Sequence, residues 1–151
     1  MRIITLNLNG LRSAARKGLL PWLAAQQADV IALQETRLQL AQREKEDFSL
    51  AGYHSYFLDA QAKGYSGVAL YVARPADRTL AGIGRPEFDD EGRWLQADFD
   101  DLSVVSLYLP SGSSSEHRQA FKYLTLDWLA EKFEALGQDG RRYIVCGDYN
   151  I

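Results

Sequence analysis

Cysteine is nearly absent from this chain: Cys146 is the only one among 151 residues. No internal disulfide is possible, which fits a reducing compartment. Its neighbours Ile144 and Val145 point to a buried, unreactive thiol. No apolar run approaches the ~20 residues of a membrane-spanning helix, so no membrane partner is expected. The opening Met1-Arg2-Ile3-Ile4-Thr5 lacks the basic start, longer apolar stretch and cleavage site of a secretory leader, and the cytoplasm is the expected location. His54 and His117 stand alone without ligand spacing and read as structural or surface residues. There is no repeat, no low-complexity segment, no G-x-G-x-x-G and no P-loop; Gly82-Ile83-Gly84 is too short for a dinucleotide fingerprint. Positive charge is not in excess either. A net charge of −3 excludes a general polyanion binder, so any nucleic acid would have to meet a local basic face.

What is present suits one globular domain. The chain is 46% hydrophobic and 25% charged, and long enough to bury a core. Alternating or continuous apolar runs predict strands at 2–8, 29–34, 53–58, 67–73, 94–99, 102–109 and 142–147. Asp100-Asp101 should turn the fifth of these into the sixth as a hairpin. Helical periodicity falls at 11–17, 19–27, 39–47 and 115–136. In the last, Phe121, Leu124, Trp128, Leu129, Phe133 and Leu136 form one apolar stripe. Ser113-x-x-Glu116 predicts its capping-box start and Gly137 its end. The order mixes βα crossovers with hairpins, which predicts an α/β fold with mixed sheets. The run at 142–147 is apolar on both faces and reads as a central strand. No later strand is there to flank it, so residues 1–151 are expected to be the amino-terminal portion of a larger domain.

The chemistry-bearing residues cluster at strand ends, where open α/β sheets build their sites. Asn7 is an amide near the end of an otherwise apolar strand, and a buried amide without partners would cost about 1–3 kcal/mol. Asn9-Gly10 after it has the composition of a turn. Glu35 follows the strand at 29–34, where it is either a solvated loop residue or a ligand for a hard cation. Magnesium takes one or two protein carboxylates and fills its shell with water and phosphate oxygen. Tyr108 ends the strand at 102–109, with Pro110 and Gly112 fixing the turn beyond. Its hydroxyl either packs or reaches a phosphate or leaving group. Asp148 and Asn150 stand at the mouth of the strand at 142–147. Arg12, Arg16 and Lys17 form either a solvated helix face or a patch that grips phosphates without reading bases.

Taken together and in this order, the motifs resemble the exonuclease III family of the endonuclease/exonuclease/phosphatase superfamily. The resemblance runs from Arg2 to Ile151. Its carriers are Asn7 with Asn9-Gly10-Leu11-Arg12, Leu33-Gln34-Glu35-Thr36, Gly64-Tyr65-Ser66-Gly67-Val68-Ala69, Glu91-Gly92-Arg93, Tyr108-x-Pro110-x-Gly112 and Gly147-Asp148-x-Asn150-Ile151. Tyr149 replaces a more usual Phe, and Ser111 stands where the family often has Asn or Gln.

The resemblance implies a four-layer αββα sandwich of the DNase I-like type, of which this chain supplies about half. It implies Mg²⁺- or Mn²⁺-dependent hydrolysis of DNA phosphodiesters in base excision repair. The substrate would be double-stranded DNA with abasic sites or 3′ ends, and the full-length protein a monomer. Carried over by residue, Glu35 with Asn7 holds the metal, and Asp148 and Asn150 complete that set. Asp148 orients and deprotonates the attacking water, Asn150 holds Asp148 and the phosphate, and Tyr108 contacts the phosphate or assists the leaving oxygen. Asn9, Arg12 and Arg93 would contact DNA. Asn9-Gly10-Leu11-Arg12 and Glu91-Gly92-Arg93 favour the DNA branch over a phosphatase or sphingomyelinase branch. A non-catalytic DNA-binding half-domain is the remaining alternative. Because the family's second half carries a further metal-site Asp and an Asp-His pair, the isolated chain is expected to have little activity.

Overall fold

A computed structural model describes all 151 residues. Eight strands and five helices follow one another as β1 (Ile3–Asn7), α1 (Leu11–Arg16), α2 (Leu19–Ala25), β2 (Val30–Gln34), α3 (Leu40–Arg43), β3 (His54–Leu58), β4 (Val68–Val72), β5 (Arg78–Ala81), α4 (Pro86–Asp89), β6 (Trp94–Phe99), β7 (Leu102–Tyr108), α5 (Glu116–Gln138) and β8 (Arg142–Asp148). The strands form two sheets, ordered β1-β2-β4-β3 and β5-β6-β7-β8. Each is mixed. β1 and β2 run parallel, as do β7 and β8, and every other pair is antiparallel.

The alternation of side chains along the strands decides the layers. Val30, Ala32, Val68, Leu70 and Val72 face Leu95, Ala97, Phe99, Val104 and Tyr108, and this is the core between the sheets. On the other face of the first sheet, Ile31, Leu33, Ala69 and Tyr71 pack with Leu23 of α2 and Leu50. On the other face of the second, Trp94, Val105 and Leu107 pack with Leu129 and Leu136 of α5. The result is the expected four-layer sandwich, helix on sheet on sheet on helix. β2 and β4 read as continuous apolar runs because both of their faces are covered.

Several sequence expectations shift. β8 is apolar on both faces because it lies between the inter-sheet core and α5: Cys146 packs inward, and Tyr143 and Val145 pack outward. It pairs with β7 at the end of its sheet, as expected for a strand with no later neighbour among residues 1–151. The cap of α5 is Ser115, whose Oγ accepts the Arg118 N–H at 3.1 Å, not Ser113, whose hydroxyl meets that of Ser111. Gly137 lies inside the helix, which ends before Gly140 at φ 77°. Leu124 and Phe133 of the expected stripe are 45% and 39% exposed, so only part of it faces the sheet. β5 and α4 carried no signal: β5 is exposed along its length and α4 is a single turn.

Polar groups tie the two sheets just below the rim where β2 and β7 end. The buried amide of Gln34 donates to Ser106 Oγ at 2.9 Å, and that hydroxyl donates to the Leu33 carbonyl at 3.1 Å. Close approach of β7 and β8 there leaves no room for a side chain at Gly147. A Cβ would lie 1.8 Å from the Leu107 carbonyl oxygen, and the backbone stands at φ 154°. Gly147→Ala should therefore destabilise the chain by ~3 kcal/mol, read from urea denaturation midpoints. A loss under about 0.5 kcal/mol, the range of an ordinary surface change, would contradict that close approach.

Candidate active site

Parallel pairing fixes which residues share the rim. Asn7 ends β1 opposite Gln34 of β2, and Tyr108 ends β7 opposite Asp148 of β8. Past β1 the ladder continues: Leu8, Gly10 and Leu11 donate their N–H groups to the carbonyls of Gln34, Glu35 and Thr36. On the other side, Thr36 and Arg37 donate to Gly67 and Ser66. Three loops are thus zipped together around Glu35. Glu35, Arg37, Asn9 and Asn150 all adopt left-handed backbone, at φ 57°, 53°, 49° and 49°. Such conformations cost energy for residues with a Cβ, and at strand ends they re-aim side chains.

The two sheets meet through a hydrogen bond between residues 141 apart. Asn7 Nδ2 donates to Asp148 Oδ2 at 2.6 Å. The Asn150 N–H donates to Asp148 Oδ1 at 2.9 Å. Asn7 Oδ1 accepts the Asn9 N–H at 2.9 Å, so this amide spans both its own turn and the opposite sheet. The Asn150 side chain does not hold Asp148. Its Nδ2 donates to the Leu109 carbonyl at 2.7 Å, and the holding is done by its backbone. Lys122 of α5 caps the Asn150 carbonyl.

Tyr108 is 8% exposed and stands opposite Asp148 at the strand ends, near enough to Glu35 and Asp148 for their charges to act on its phenol. Burial pushes its phenol above the ordinary tyrosine range, and the charge of Glu35 pushes the same way; Arg93 opposes them. The hydroxyl therefore stays protonated at neutral pH and can donate. Glu35 and Asp148 belong to one rim: Gln34, the residue before Glu35, is paired with Asn7, whose amide holds Asp148.

Two carboxylates gather here, and the chain brings no cluster of three or more His, Cys, Asp or Glu together anywhere. That donor set cannot build an all-protein cage, but it suits a hard divalent ion that keeps water and substrate oxygens in its shell. A cation already answers Glu35: Arg37 places Nε and Nη2 at 3.1 and 2.5 Å from its Oε1. The residues present thus fit such an ion. The Asn7 side chain is hydrogen-bonded to Asp148 and to the Asn9 N–H, and not to Glu35.

Of the expected DNA contacts, Asn9 is exposed on its turn. Arg12 is paired with Glu46, whereas Arg16 and Lys17 beyond it are exposed. Arg93 is a correction. It is 1% exposed and cannot present its guanidinium to a phosphate. It donates instead to Glu91, Tyr65 and the Tyr108 carbonyl. Sequence reasoning assigned nothing to Glu91, Tyr65 or Arg118, which complete this cluster, nor to Arg37. Only the presence of Tyr65 and Glu91 in the quoted motifs marked them. Arg118 gave no signal, because one arginine in a first helical turn is usually solvated.

Two sheets packed face to face, with carboxylates, amides and a phenol at the rim where parallel strands end, define the DNase I-like class of α/β sandwiches. Residues 4–151 match the Endonuclease/Exonuclease/phosphatase family, and the chain belongs to it. It is 34% identical over its full length to the exodeoxyribonuclease of Bacillus subtilis (strain 168), of which it covers 59%. It is 33% identical to the DNA repair nuclease APEX1 of Danio rerio, again over its whole length and 49% of that protein. An AP endonuclease structure from Archaeoglobus fulgidus superposes with a TM-score of 0.84 at 28% identity, and the match covers all of this chain and 58% of that one. The Xenopus laevis APE2 catalytic domain gives 0.85, also at 28% identity, with 59% of its chain covered. The chain spans about half the length of these relatives.

Two measurements check the electrostatics. Glu35→Gln should lower the phenol pKa of Tyr108 part of the way back to its ordinary value, since burial remains; a spectrophotometric titration referenced to Tyr108→Phe that shows no fall would contradict the placement. Burial pushes Glu91 up, but the hydrogen bond from Arg118 and the charge of Arg93 outweigh it and hold the carboxyl below the usual range. Its stabilising contribution is thus complete above the ordinary glutamate pKa and is lost as pH falls through the lowered value. Glu91→Gln should flatten the acid limb of stability against pH, and a limb of unchanged slope would count against the cluster.

Proposed function

We propose that this chain is the amino-terminal portion of a divalent-metal-dependent DNA phosphodiester hydrolase of the exonuclease III and AP endonuclease kind. The observation that carries the reading is the double hold on Asp148, by Asn7 from the facing sheet and by the Asn150 N–H, beside Glu35 and Tyr108. The names of the relatives, an exodeoxyribonuclease and a DNA repair nuclease, support DNA as substrate; abasic sites or 3′ ends are the finer part of the proposal.

Each residue then has a task. A carboxylate offers about four lone-pair sites. Asp148 spends one on each oxygen, which leaves it able to accept a proton from an attacking water and to aim that water. Asn7 fixes its orientation across the two sheets. Tyr108, kept protonated, donates to a phosphate oxygen or to the leaving oxygen, where negative charge grows as the bond breaks. Glu35, with Asp148 beside it, would hold Mg²⁺ or Mn²⁺. Bound there, the ion neutralises charge on the phosphate and stabilises the departing oxygen. Arg16 and Lys17 at the end of α1 offer free cations to the backbone of a duplex, which positions it without reading sequence.

The test is cleavage of a fluorescent duplex bearing one abasic site by the natural polypeptide that carries this chain, in Mg²⁺ and in EDTA. Cutting in Mg²⁺ only, with Asp148→Asn lowering turnover by at least ~10²-fold, is the expected result. Cutting in EDTA, or undiminished turnover by Asp148→Asn, would overturn it. Salt-sensitive binding without cleavage would turn the reading toward a DNA-binding module, and faster hydrolysis of inositol phosphates toward the phosphatase branch.

A further inference from the structure

Arg93 is sealed in the molecule, and each nitrogen of its guanidinium donates a hydrogen bond. Nε donates to Glu91 Oε2 at 2.6 Å, Nη1 to the Tyr108 carbonyl at 3.0 Å and Nη2 to the Tyr65 hydroxyl at 2.9 Å. Its flat face covers the Tyr108 ring, with the guanidinium carbon 4.6 Å from the ring centroid. That lies within cation–π range, and the interaction strengthens when water is excluded. The backbone adds a further tie: the Tyr108 N–H donates to the Arg93 carbonyl at 2.9 Å. One residue therefore holds Tyr108 by its ring face, its carbonyl and its amide.

The surroundings are built to keep this grip. A buried arginine needs a counter-charge, and Glu91 supplies it. Glu91 is held in turn by Arg118 of α5 at 2.7 Å, and Arg118 shares the Tyr65 hydroxyl with Arg93 at 2.9 Å. Gly92 makes the turn that aims Arg93. It stands at φ 59°, and a Cβ there would come within 2.7 Å of the Asp59 backbone. Three segments distant in sequence, at Tyr65, Tyr108 and Arg118, thus converge on the Glu91–Arg93 turn. A lysine could supply charge but neither the planar stack nor the three-way fork.

We propose that Arg93 is a positioning residue, which fixes the plane and tilt of the Tyr108 ring at the rim where it stands opposite Asp148. The proposal rests on the reading of Tyr108 as the group that meets the substrate phosphate. It assigns Arg93 no contact with DNA. Loss of Arg93 frees the ring to turn and swing, and the hydroxyl then spends less time in the productive direction.

The experiment uses the chain labelled with 3-fluorotyrosine and ¹⁹F NMR, with the Tyr108 signals assigned by their loss in Tyr108→Phe. Arg93→Met alone strands the Glu91 carboxylate, so Arg93→Met combined with Glu91→Gln is the working variant. In the unsubstituted chain the two ring orientations of Tyr108 give separate signals in slow exchange. In the double variant they merge into one averaged line, and Arg93→Lys falls between the two. Tyr71, buried against the other helical layer with its hydroxyl on the Phe48 carbonyl, is the reference and stays unchanged. Separate Tyr108 signals in the double variant overturn the proposal, as does a change that Tyr71 shares, which means general loosening. So does a shallower salt dependence of duplex binding in the double variant, the mark of a lost phosphate contact. Mn²⁺ added to the unsubstituted chain tests the underlying reading apart from this. If Mn²⁺ fails to broaden Tyr108, the site assignment falls, while the merging of its signals on loss of Arg93 still shows what holds the ring.

Discussion

Everything at the candidate site depends on two parallel strand pairs, one in each sheet, that end at the same rim. β1–β2 and β7–β8 carry Asn7, Glu35, Tyr108 and Asp148 there because parallel strands deliver their carboxyl ends together. Antiparallel hairpins cannot do this, since they send alternate chain ends to opposite sides. The hairpins β3–β4 and β6–β7 fill out the sheets and the core instead. The Asn7–Asp148 hydrogen bond is the point where this arrangement is closed, across 141 residues of chain. Beneath it, Gln34 and Ser106 lock the facing sheets in one lateral position. Since the sheets pack through apolar side chains that could slide, such directional contacts set the register of the two carboxylates.

The same rim concentrates backbone that ordinary residues avoid. Asn9, Glu35, Arg37 and Asn150 are all left-handed, and Gly147 is extended at a φ that only glycine tolerates well. The fold accommodates this because neighbouring loops over-determine each position. Glu35, for example, is held by the Gly10 N–H on one side while the next two residues donate to the loop at 66–67 on the other. Asparagine is at home in left-handed turns, but Glu35 is not. Its conformation shows the cost accepted to turn a carboxylate inward at a strand end rather than out to solvent.

Much of this was legible in the sequence. The strand runs at 29–34, 67–73 and 102–109 were found because they are apolar and bounded by turn residues, and the mixed sheets followed from the order of crossovers and hairpins. The convergence of Asn7, Glu35, Tyr108 and Asp148 was readable because each follows or ends such a run. What was not legible depends on partners far away in the chain. β5 has no apolar pattern, since a fully exposed edge strand gains its order from backbone pairing to β6. Arg93 reads as a DNA contact only through the resemblance of Glu91-Gly92-Arg93 to the exonuclease III family. Glu91 is only two residues away, but the burial also needs Tyr65 and Arg118 to arrive from distant segments, and no local pattern announces that.

The arginines near the rim make the general point that place in the fold, not residue type, sets the task. Arg93 is buried, and its plane is used as a surface against Tyr108. Arg118 is half-buried and acts on the same glutamate from α5. Arg37 is 43% exposed and neutralises Glu35 directly. Arg12 faces Glu46, and Arg16 is left to solvent. A chain of net charge −3 can thus present a cationic approach at one end of α1 while it commits most nearby guanidinium groups to internal work. Under the proposed function, a polyanion would meet the few uncommitted cations and the ion that Glu35 would hold. Charge matched at the reacting phosphate, rather than spread over the whole surface, would then favour the transition state over the bound ground state.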